Sequence, residues 1–542
     1  MSTPINIKQL EEELINYPDK IKRYEFIKSI KEGCDMGVRT NDKDSFECKN
    51  SRSAYEHSEF VTNALEEEIR NDHIAGPYER PPFPMYRVSP ISVVEGKYSK
   101  KKRLILDLSA PHDLKDITSI NEMINKDDFT LQYVTIDHAI ELIQKTGKGS
   151  LLSKVDIKDA FRILPIHPSQ WRYFCVKWNN EYYFYLRLPF GARSSPRIFT
   201  NLSEMIHWIA TNNYGIKQLL FLLDDFLAID NPNDDASKTL QSLLTVFAKL
   251  GIPLNLKKTA GPATCLEYLG VTLDTVKLTA SLPQEKVTRI LDLVRTCRQK
   301  TACSKREILS VLGHLNFACR VVRHGRTFIA SLIKLSCQRK ELYHYISLTQ
   351  EVREDLLMWE IFLQDWNGVS MFHDINTTST MELQIFTDSS SSFGFGGVNK
   401  DNREYFYSEW RGHSIPVGEH AMSYRELYPI VIATMLWSER MRNKRIVFMC
   451  DNEGTVAIIN KGRSKCPDIN VLMRKLTVLA DKFNFLFTGQ WLSTKVNLEA
   501  DALSRGHISM FQELMPDAVE RQCPTLTDVE HAYVNHITSQ MG

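Results

Sequence analysis

Residues 221–230, FLLDDFLAID, set two adjacent carboxylates, Asp224 and Asp225, inside an apolar run with the composition of a buried strand. An unpaired ionised carboxylate is strongly disfavoured in such surroundings, and its pKa would rise. A divalent cation removes that penalty, and Mg²⁺ takes one or two protein carboxylates together with substrate phosphates. On this stretch alone, an exposed Asp-Asp turn at a hairpin tip is an open alternative. A third carboxylate bears on the choice. LLSKVDIKDAF delivers Asp156 at the end of a β-type run, 68 residues before Asp224, with Asp159 and the aromatic Phe161 after it. Only separate strands of one sheet can bring Asp156 and Asp224 together. Facing one another, the three acids are a ligand set for two metal ions about 3.5–4 Å apart, which stabilise both the attacking and the leaving oxygens of a phosphoryl transfer.

A second set of acids lies towards the other end. LQIFTDSSSSFGFGG places Asp388 after a β-type run, with a glycine-rich turn into a second strand. MSYRELYPIVIATMLW puts Glu426 in the first turns of a helix whose apolar residues repeat at helical spacing. RIVFMCDNEGTVAIINKG ends a strand at Asp451, and NLEADALSRG puts Asp501 in a short helix with Glu499 as its neighbour. Acids on strand end, helix, strand end and helix can converge on one edge of a mixed sheet, which makes a second two-metal site.

The elements that must position these groups are spread over 542 residues, enough for several domains. Residues 1–75 read as polar helices. Five prolines between Pro77 and Pro90 then force an extended path. β-rich runs follow, with NN between aromatic strands in YFCVKWNNEYYFYLRLPFG signalling a hairpin. Residues 284–345 return to helical periodicity, and a second strand-rich block opens near Met381. Net charge is only +1, but residues 251–345 hold 16 Lys and Arg against 6 Asp and Glu. That excess, including Lys257, Lys258, Arg295, Arg298, Lys300, Lys305, Arg306, Arg320, Arg323 and Arg326, reads as a phosphate-facing surface, with a solvated helical face as the alternative. Eleven cysteines without a CxxC pair argue against a zinc ribbon and against a full disulfide framework. No apolar stretch reaches the roughly 18 residues of a membrane span, so an intracellular, membrane-free protein in cytoplasm or nucleus is expected.

The ordered series VDIKDAF, LPFGARSSPRIF, LLDDFL and EYLGVTLD resembles the palm motifs of reverse transcriptases. The resemblance implies Asp156 and Asp224 as main metal ligands, with Asp225 as second acid of the hairpin and Ile157, beside Asp156, among the metal and substrate positions. It implies Phe161 as an aromatic gate against the ribose 2′-hydroxyl, Phe190 near the nucleotide sugar, and Gly191 where the backbone approaches nucleotide and template. Arg103 would lie over the triphosphate, Lys97 or Lys100 would hold its γ-phosphate, and Gly270 would sit in the turn supporting the primer terminus. Leu222 departs from the family, which usually has Tyr there. TDSS, RELY, CDNEG and ADALSR resemble ribonuclease H in the same order, so Asp388, Glu426, Asp451 and Asp501 carry over as metal ligands. GQWLSTKVNLEAD offers no histidine for the mobile position of some of those enzymes.

The implied fold is α+β and multidomain, a right-hand polymerase followed by an α/β ribonuclease H-like domain. The expected boundaries are 1–75 helical extension, 76–250 fingers and palm, 251–345 basic helical thumb, 346–380 connector, 381–510 ribonuclease H-like domain and 511–542 tail. The implied cofactor is Mg²⁺, two ions per site, with Mn²⁺ as substitute. The implied partners are RNA template, DNA primer, RNA/DNA hybrid and dNTPs, joined by an element-encoded recombinase and capsid-type proteins. Among retroelements the motifs look most like the DIRS group of tyrosine-recombinase retrotransposons, with gypsy-type elements as the alternative. The chain carries no protease DSG or DTG triplet and no zinc-binding integrase pattern, and is expected to be one product or fragment of a larger element. A catalytically inactive, element-derived nucleic-acid-binding protein is the rival from another class.

Overall fold

The computed structural model describes residues 2–40, 44–96, 101–112, 114, 116–365, 369–371, 383–411, 415, 418, 420–442, 444–483 and 485–524. The chain divides into two compact units, Met1–Leu269 and Gly270–Gly542. Lys97 and Lys100, the γ-phosphate candidates, lie outside the described residues.

In the first unit, β1 (Ile91–Glu95) and β2 (Lys102–Leu106) form an antiparallel hairpin. The central sheet comprises β3 (Leu151–Asp156), β4 (Leu219–Leu222), β5 (Asp225–Asp230) and β6 (Ala260–Ala263), in the spatial order β6-β3-β5-β4. Two helices accompany it. In α1 (Ser195–Asn212), Pro196 suits the first turn, and Ile198, Phe199, Leu202, Met205, Ile206 and Ile209 recur at helical spacing and are buried. In α2 (Ala236–Lys249), Asp235 caps the N-terminus by accepting from the Lys238 amide at 3.2 Å. Phe247 of α2 meets Phe226 of β5 edge-on at 5.3 Å in the common core.

The N-terminal helices are part of this unit. Helices Ile7–Glu13 and Lys20–Glu32 are tied to α1 and to the end of α2: Asn6 N–H donates to the Leu250 carbonyl at 2.8 Å, and Lys22 pairs with Glu204 of α1 at 2.5 Å. Cys34 exchanges backbone bonds with Pro165 and His167 at 2.8 and 3.0 Å. Contacts with the β1–β2 hairpin come from later residues, Asn50 and Ser53, which accept from the Ile91 and Val93 amides. Residues about 50 thus meet the β1–β2 hairpin, while the first 40 meet α1 and the 163–167 and 250 segments through both main-chain and side-chain groups.

In the second unit, α3 (Gln284–Gln299), α4 (Lys305–Ala318) and α5 (Gln350–Asp365) precede a six-stranded sheet. Ser304 and Glu307 form a reciprocal capping box that starts α4. The sheet runs β11-β10-β7-β8-β9-β12, from β7 (Gln384–Ser389), β8 (Gly394–Asn399), β9 (Glu404–Glu409), β10 (Arg445–Cys450), β11 (Leu486–Trp491) and β12 (Val519–Glu520). β7, β8 and β9 are an antiparallel meander, while β10 lies parallel to β7 and β11 parallel to β10. Helices α6 (Ala421–Met441), α7 (Glu453–Lys461), α8 (Pro467–Lys482) and α9 (Leu498–Ser504) surround it. The glycine-rich segment expected as a turn is instead the strand β8. The reason is close packing, since a Cβ at Gly396 would come within 2.5 Å of Leu503 Cβ, so α9 can lie directly against the strand. Among the described residues no helix is long and apolar enough to cross a membrane.

Candidate active sites

The first cluster is built by strand register. Asp225, first residue of β5, pairs with Asp156, last residue of β3, and also with Leu222 of β4. That leaves Leu223 and Asp224 as a two-residue turn, with Leu223 at φ +53°, a left-handed conformation that costs a branched side chain roughly 1–2 kcal/mol. Such strain persists only where the surroundings over-determine it. Here Ser203 Oγ donates to the Leu223 carbonyl at 2.7 Å, and Ile157 N–H donates to the Asp224 carbonyl at 3.0 Å. Ile157 is buried and serves the site through this bond, tying the Asp-Asp turn to the strand end that carries Asp156.

The electrostatics are those of crowded acids. Burial, with Asp156 and Asp224 nearby, pushes Asp225 up to about 6. Asp224 is raised for the same reasons. Asp225 Oδ1 is buried without a hydrogen-bond partner, an orphan acceptor that fits a bound cation. Lys258 bonds Asp156 Oδ2 at 2.9 Å, and that bond raises the lysine's own pKa. Sequence reasoning had Lys258 only in a basic surface; its distance from Asp156 along the chain gave no signal of the pairing.

Around the acids, Phe161 is buried with ring centroids 5.0 Å from Phe190 and 5.5 Å from Phe199. Phe190 is half exposed, and the Arg162 guanidinium lies over its ring at 5.6 Å. Gly191 has φ +92°, and a Cβ there would come within 2.8 Å of the Leu106 carbonyl at the end of β2. The close approach requiring glycine is therefore one to the β1–β2 hairpin. Arg103 is exposed on β2, opposite Val94. In the second unit Gly270 has φ +79°, and its carbonyl accepts from Lys286 Nζ at 2.7 Å. Much of the basic segment is tied up internally: Arg295 and Arg298 pair with Glu360, and Lys300 pairs with Glu307. These cations sit beside acids of packed or capped helices, so the phosphate-facing reading loses them.

The second cluster forms where β7, β10, α6 and α9 meet. Asp388 is buried in β7, and Ser504 Oγ donates to its Oδ2 at 2.5 Å. Burial, with Asp451 and Asp501 close, pushes Asp388 up to about 6. Glu426, buried in α6, is driven well above the usual carboxylate range by burial and by the charges of Asp388 and Asp451, while Ser389 Oγ donates to it at 2.9 Å. Asp501 pairs with Arg505 one turn along at 2.8 Å. The structure thus brings together all four acids. Glu426, Cys450 and Asp451 present possible ligand atoms within 4.8 Å of one another. Cys450 was missed, because strand alternation would send it and Asp451 to opposite faces; the strand ends at Cys450 and the chain bends at Asp451. Burial raises the Cys450 thiol far above its ordinary value, so it serves Glu426 as a donor rather than as a thiolate ligand. Glu499 turns to Lys400 at 2.9 Å, as a neighbour of the cluster.

Residues 86–273 match the family model for "Reverse transcriptase (RNA-dependent DNA polymerase)". They form a reverse transcriptase domain of the kind found in retrotransposon and retroviral Pol-type proteins. The chain is 24% identical over 225 residues to the retrovirus-related Pol polyprotein from transposon opus of Drosophila melanogaster, covering 41% of this chain and 21% of that protein. It is 23% identical to a putative enzymatic polyprotein of Cassava vein mosaic virus, covering 81% of this chain and 64% of the viral one. It therefore spans between about a fifth and under two thirds of these relatives' lengths. The structure of the foamy viral protease-reverse transcriptase in complex with RNA/DNA hybrid aligns over 91% of this chain and 64% of that one, with TM-score 0.50 and 14% identity. The fold is the expected one, α+β and multidomain, with a polymerase fold followed by a further α/β domain.

Proposed function

We propose that this chain is an RNA-directed DNA polymerase that also degrades the RNA strand of the hybrid it makes, in retrotransposon replication. The observation that carries the reading is the presence on one chain of two carboxylate clusters, Asp156/Asp224/Asp225 and Asp388/Glu426/Asp451/Asp501, each with acids raised by burial and, to a lesser extent, by one another's charge. Perturbed acids gathered in one place mark functional sites. Both clusters fit Mg²⁺, a hard cation that takes oxygen ligands, and Mn²⁺ substitutes. With the ions bound, the attacking oxygen is activated and the charge on the leaving oxygen is neutralised.

The chain's own residues do the rest. The Ile157 amide and Ser203 hydroxyl fix the Asp-Asp turn, and Lys258 keeps a protonated Nζ beside Asp156. The Phe161–Phe190 pair walls the place assigned to the nucleotide sugar, and Arg103 faces the triphosphate. RNA template, DNA primer, hybrid and dNTPs are the partners of this reading. Copying RNA leaves a hybrid whose RNA must be removed before a second DNA strand is made, which is why both activities belong on one chain. The foamy viral neighbour, solved with a hybrid, supports that choice of substrate. The motifs PPFPMYRVSP, KVDIKDAFRILPIHP and LGHLNFACRVVRHGRTF support placing the element in the DIRS group, with a recombinase and capsid-type proteins as companions inside the cell.

The test is primer extension on a labelled RNA template with dNTPs and Mg²⁺, beside Asp224→Asn and Asp451→Asn. DNA growth and RNA cutting, each lost in one variant, are the expected result. A wild type that binds hybrid and does neither, in Mn²⁺ as well, overturns the reading in favour of a binding protein.

A further inference from the structure

Each acid of the second cluster has a side-chain donor of its own. Ser504 serves Asp388, Ser389 serves Glu426, Arg505 serves Asp501, and Thr494 Oγ1 donates to Asp451 Oδ2 at 2.8 Å. Ser389 and Ser504 are buried with the carboxylates they hold, so packing fixes those pairs. Thr494 is different, since it is exposed on the segment between β11 and α9. That segment also grips the main chain at the same place. Leu492 N–H donates to the Cys450 carbonyl at 3.1 Å, and Trp491 Nε1 donates to the Asp451 carbonyl at 2.9 Å while its side chain stays half exposed. Three bonds from residues 491–494 therefore converge on Cys450 and Asp451, and one of them ends on a carboxylate oxygen.

We propose that Thr494 is a positioning residue for the second site, its hydroxyl orienting the Asp451 carboxylate and thereby setting the affinity of the site for divalent cations. The proposal rests on the ribonuclease H reading and goes beyond it, because no motif of that reading includes Thr494. Groups that hydrogen-bond a metal ligand orient it, and removing one typically costs about 10–100-fold in metal affinity or activity. A loop that serves only as a connection would tolerate valine, which keeps the shape of threonine and drops the donor.

The experiment compares wild type, Thr494→Val, Thr494→Ser and Asp451→Asn of the full chain. Terbium(III), a luminescent stand-in for the divalent cation, is titrated without nucleic acid and excited through tryptophan; Trp491 lies beside Asp451, and the signal lost in Asp451→Asn belongs to this site. RNA cleavage and primer extension are then measured against Mg²⁺. In Thr494→Val the half-saturating terbium and the Mg²⁺ requirement for cleavage should rise about 10- to 100-fold, with primer extension unchanged. Thr494→Ser should restore both. Thr494→Val titrating as wild type overturns the proposal and leaves the nuclease reading standing, as does a loss that serine fails to restore. A wild type with neither RNA cleavage nor an Asp451-dependent terbium signal removes the nuclease reading and the proposal with it.

Discussion

Asp225→Asn should make the metal-free protein more stable while abolishing DNA synthesis. Asp225 is driven from an ordinary aspartate value of 3.8 up to about 6 by burial, aided by the charges of Asp156 and Asp224. A rise of about 2 units corresponds to roughly 3 kcal/mol of differential interaction between the two protonation states. Partial exposure of the side chain reduces that ceiling to about 1–2 kcal/mol. The sign follows from linkage: a carboxyl whose folded-state pKa is raised favours the fold below its unfolded pKa, and that contribution is lost as pH rises through the folded value. The wild type should therefore lose this stability between about pH 4 and pH 6, where the asparagine variant has nothing to lose. At pH 7.5 in EDTA the variant should melt roughly 2–8 °C higher, using about 2–4 °C per kcal/mol for a unit of this size. At pH 5 the gap should shrink, and Mg²⁺ should narrow it at pH 7.5 by stabilising the wild type. The assay is thermal unfolding at the two pH values, with and without Mg²⁺, beside primer extension. A variant that melts at or below the wild-type temperature at pH 7.5, or a gap independent of pH, would refute the reasoning.

Two other outcomes follow from the geometry. Gly191→Ala places a Cβ within 2.8 Å of the Leu106 carbonyl on a backbone with φ +92°; it should cost about 1–3 kcal/mol in thermal unfolding and reduce extension by displacing the β1–β2 hairpin. The Mg²⁺ requirement for RNA cleavage should rise as pH drops below about 6, where a proton competes with the cation for Asp388; a half-saturating Mg²⁺ unchanged from pH 7.5 to pH 5 contradicts this.

How much of this was readable from residue types depended on what each interaction is made of. Asp224 and Asp225 stood out because charge inside an apolar run is rare and costly, and their meeting with Asp156 needed only the assumption of one sheet. Leu223 at φ +53° carries no such mark, since leucine does not announce a left-handed turn, and the strain is held by Ser203 and Ile157 from elsewhere in the fold. The glycines of FGFGG were legible as special but not as strand, because the helix that makes Gly396 necessary arrives about a hundred residues later, at Leu503, and Gly394 and Gly397 are set by the neighbouring strand, at Ser408 and Phe406. Lys258 and Thr494 were hidden for a related reason. Lysines and hydroxyl residues are common on surfaces, and only the tertiary contact distinguishes the ones that touch an aspartate.

The way residues 2–14 close on the rest of the first unit has a consequence for how the protein is made. Asn6 finds its partner at Leu250, and Ser2 finds Arg187, so the opening segment cannot reach its final place until most of the first unit has left the ribosome. At synthesis rates of about 5–20 residues per second, the roughly 240 intervening residues take about 12–50 s. Throughout that interval Ile5, Leu10 and Leu14, all buried in the finished unit, lack the part of their core that residues near 250 supply. The nascent chain thus carries an unpartnered apolar segment at residues 5–14 for about that interval, a window in which chaperones would find a binding site there.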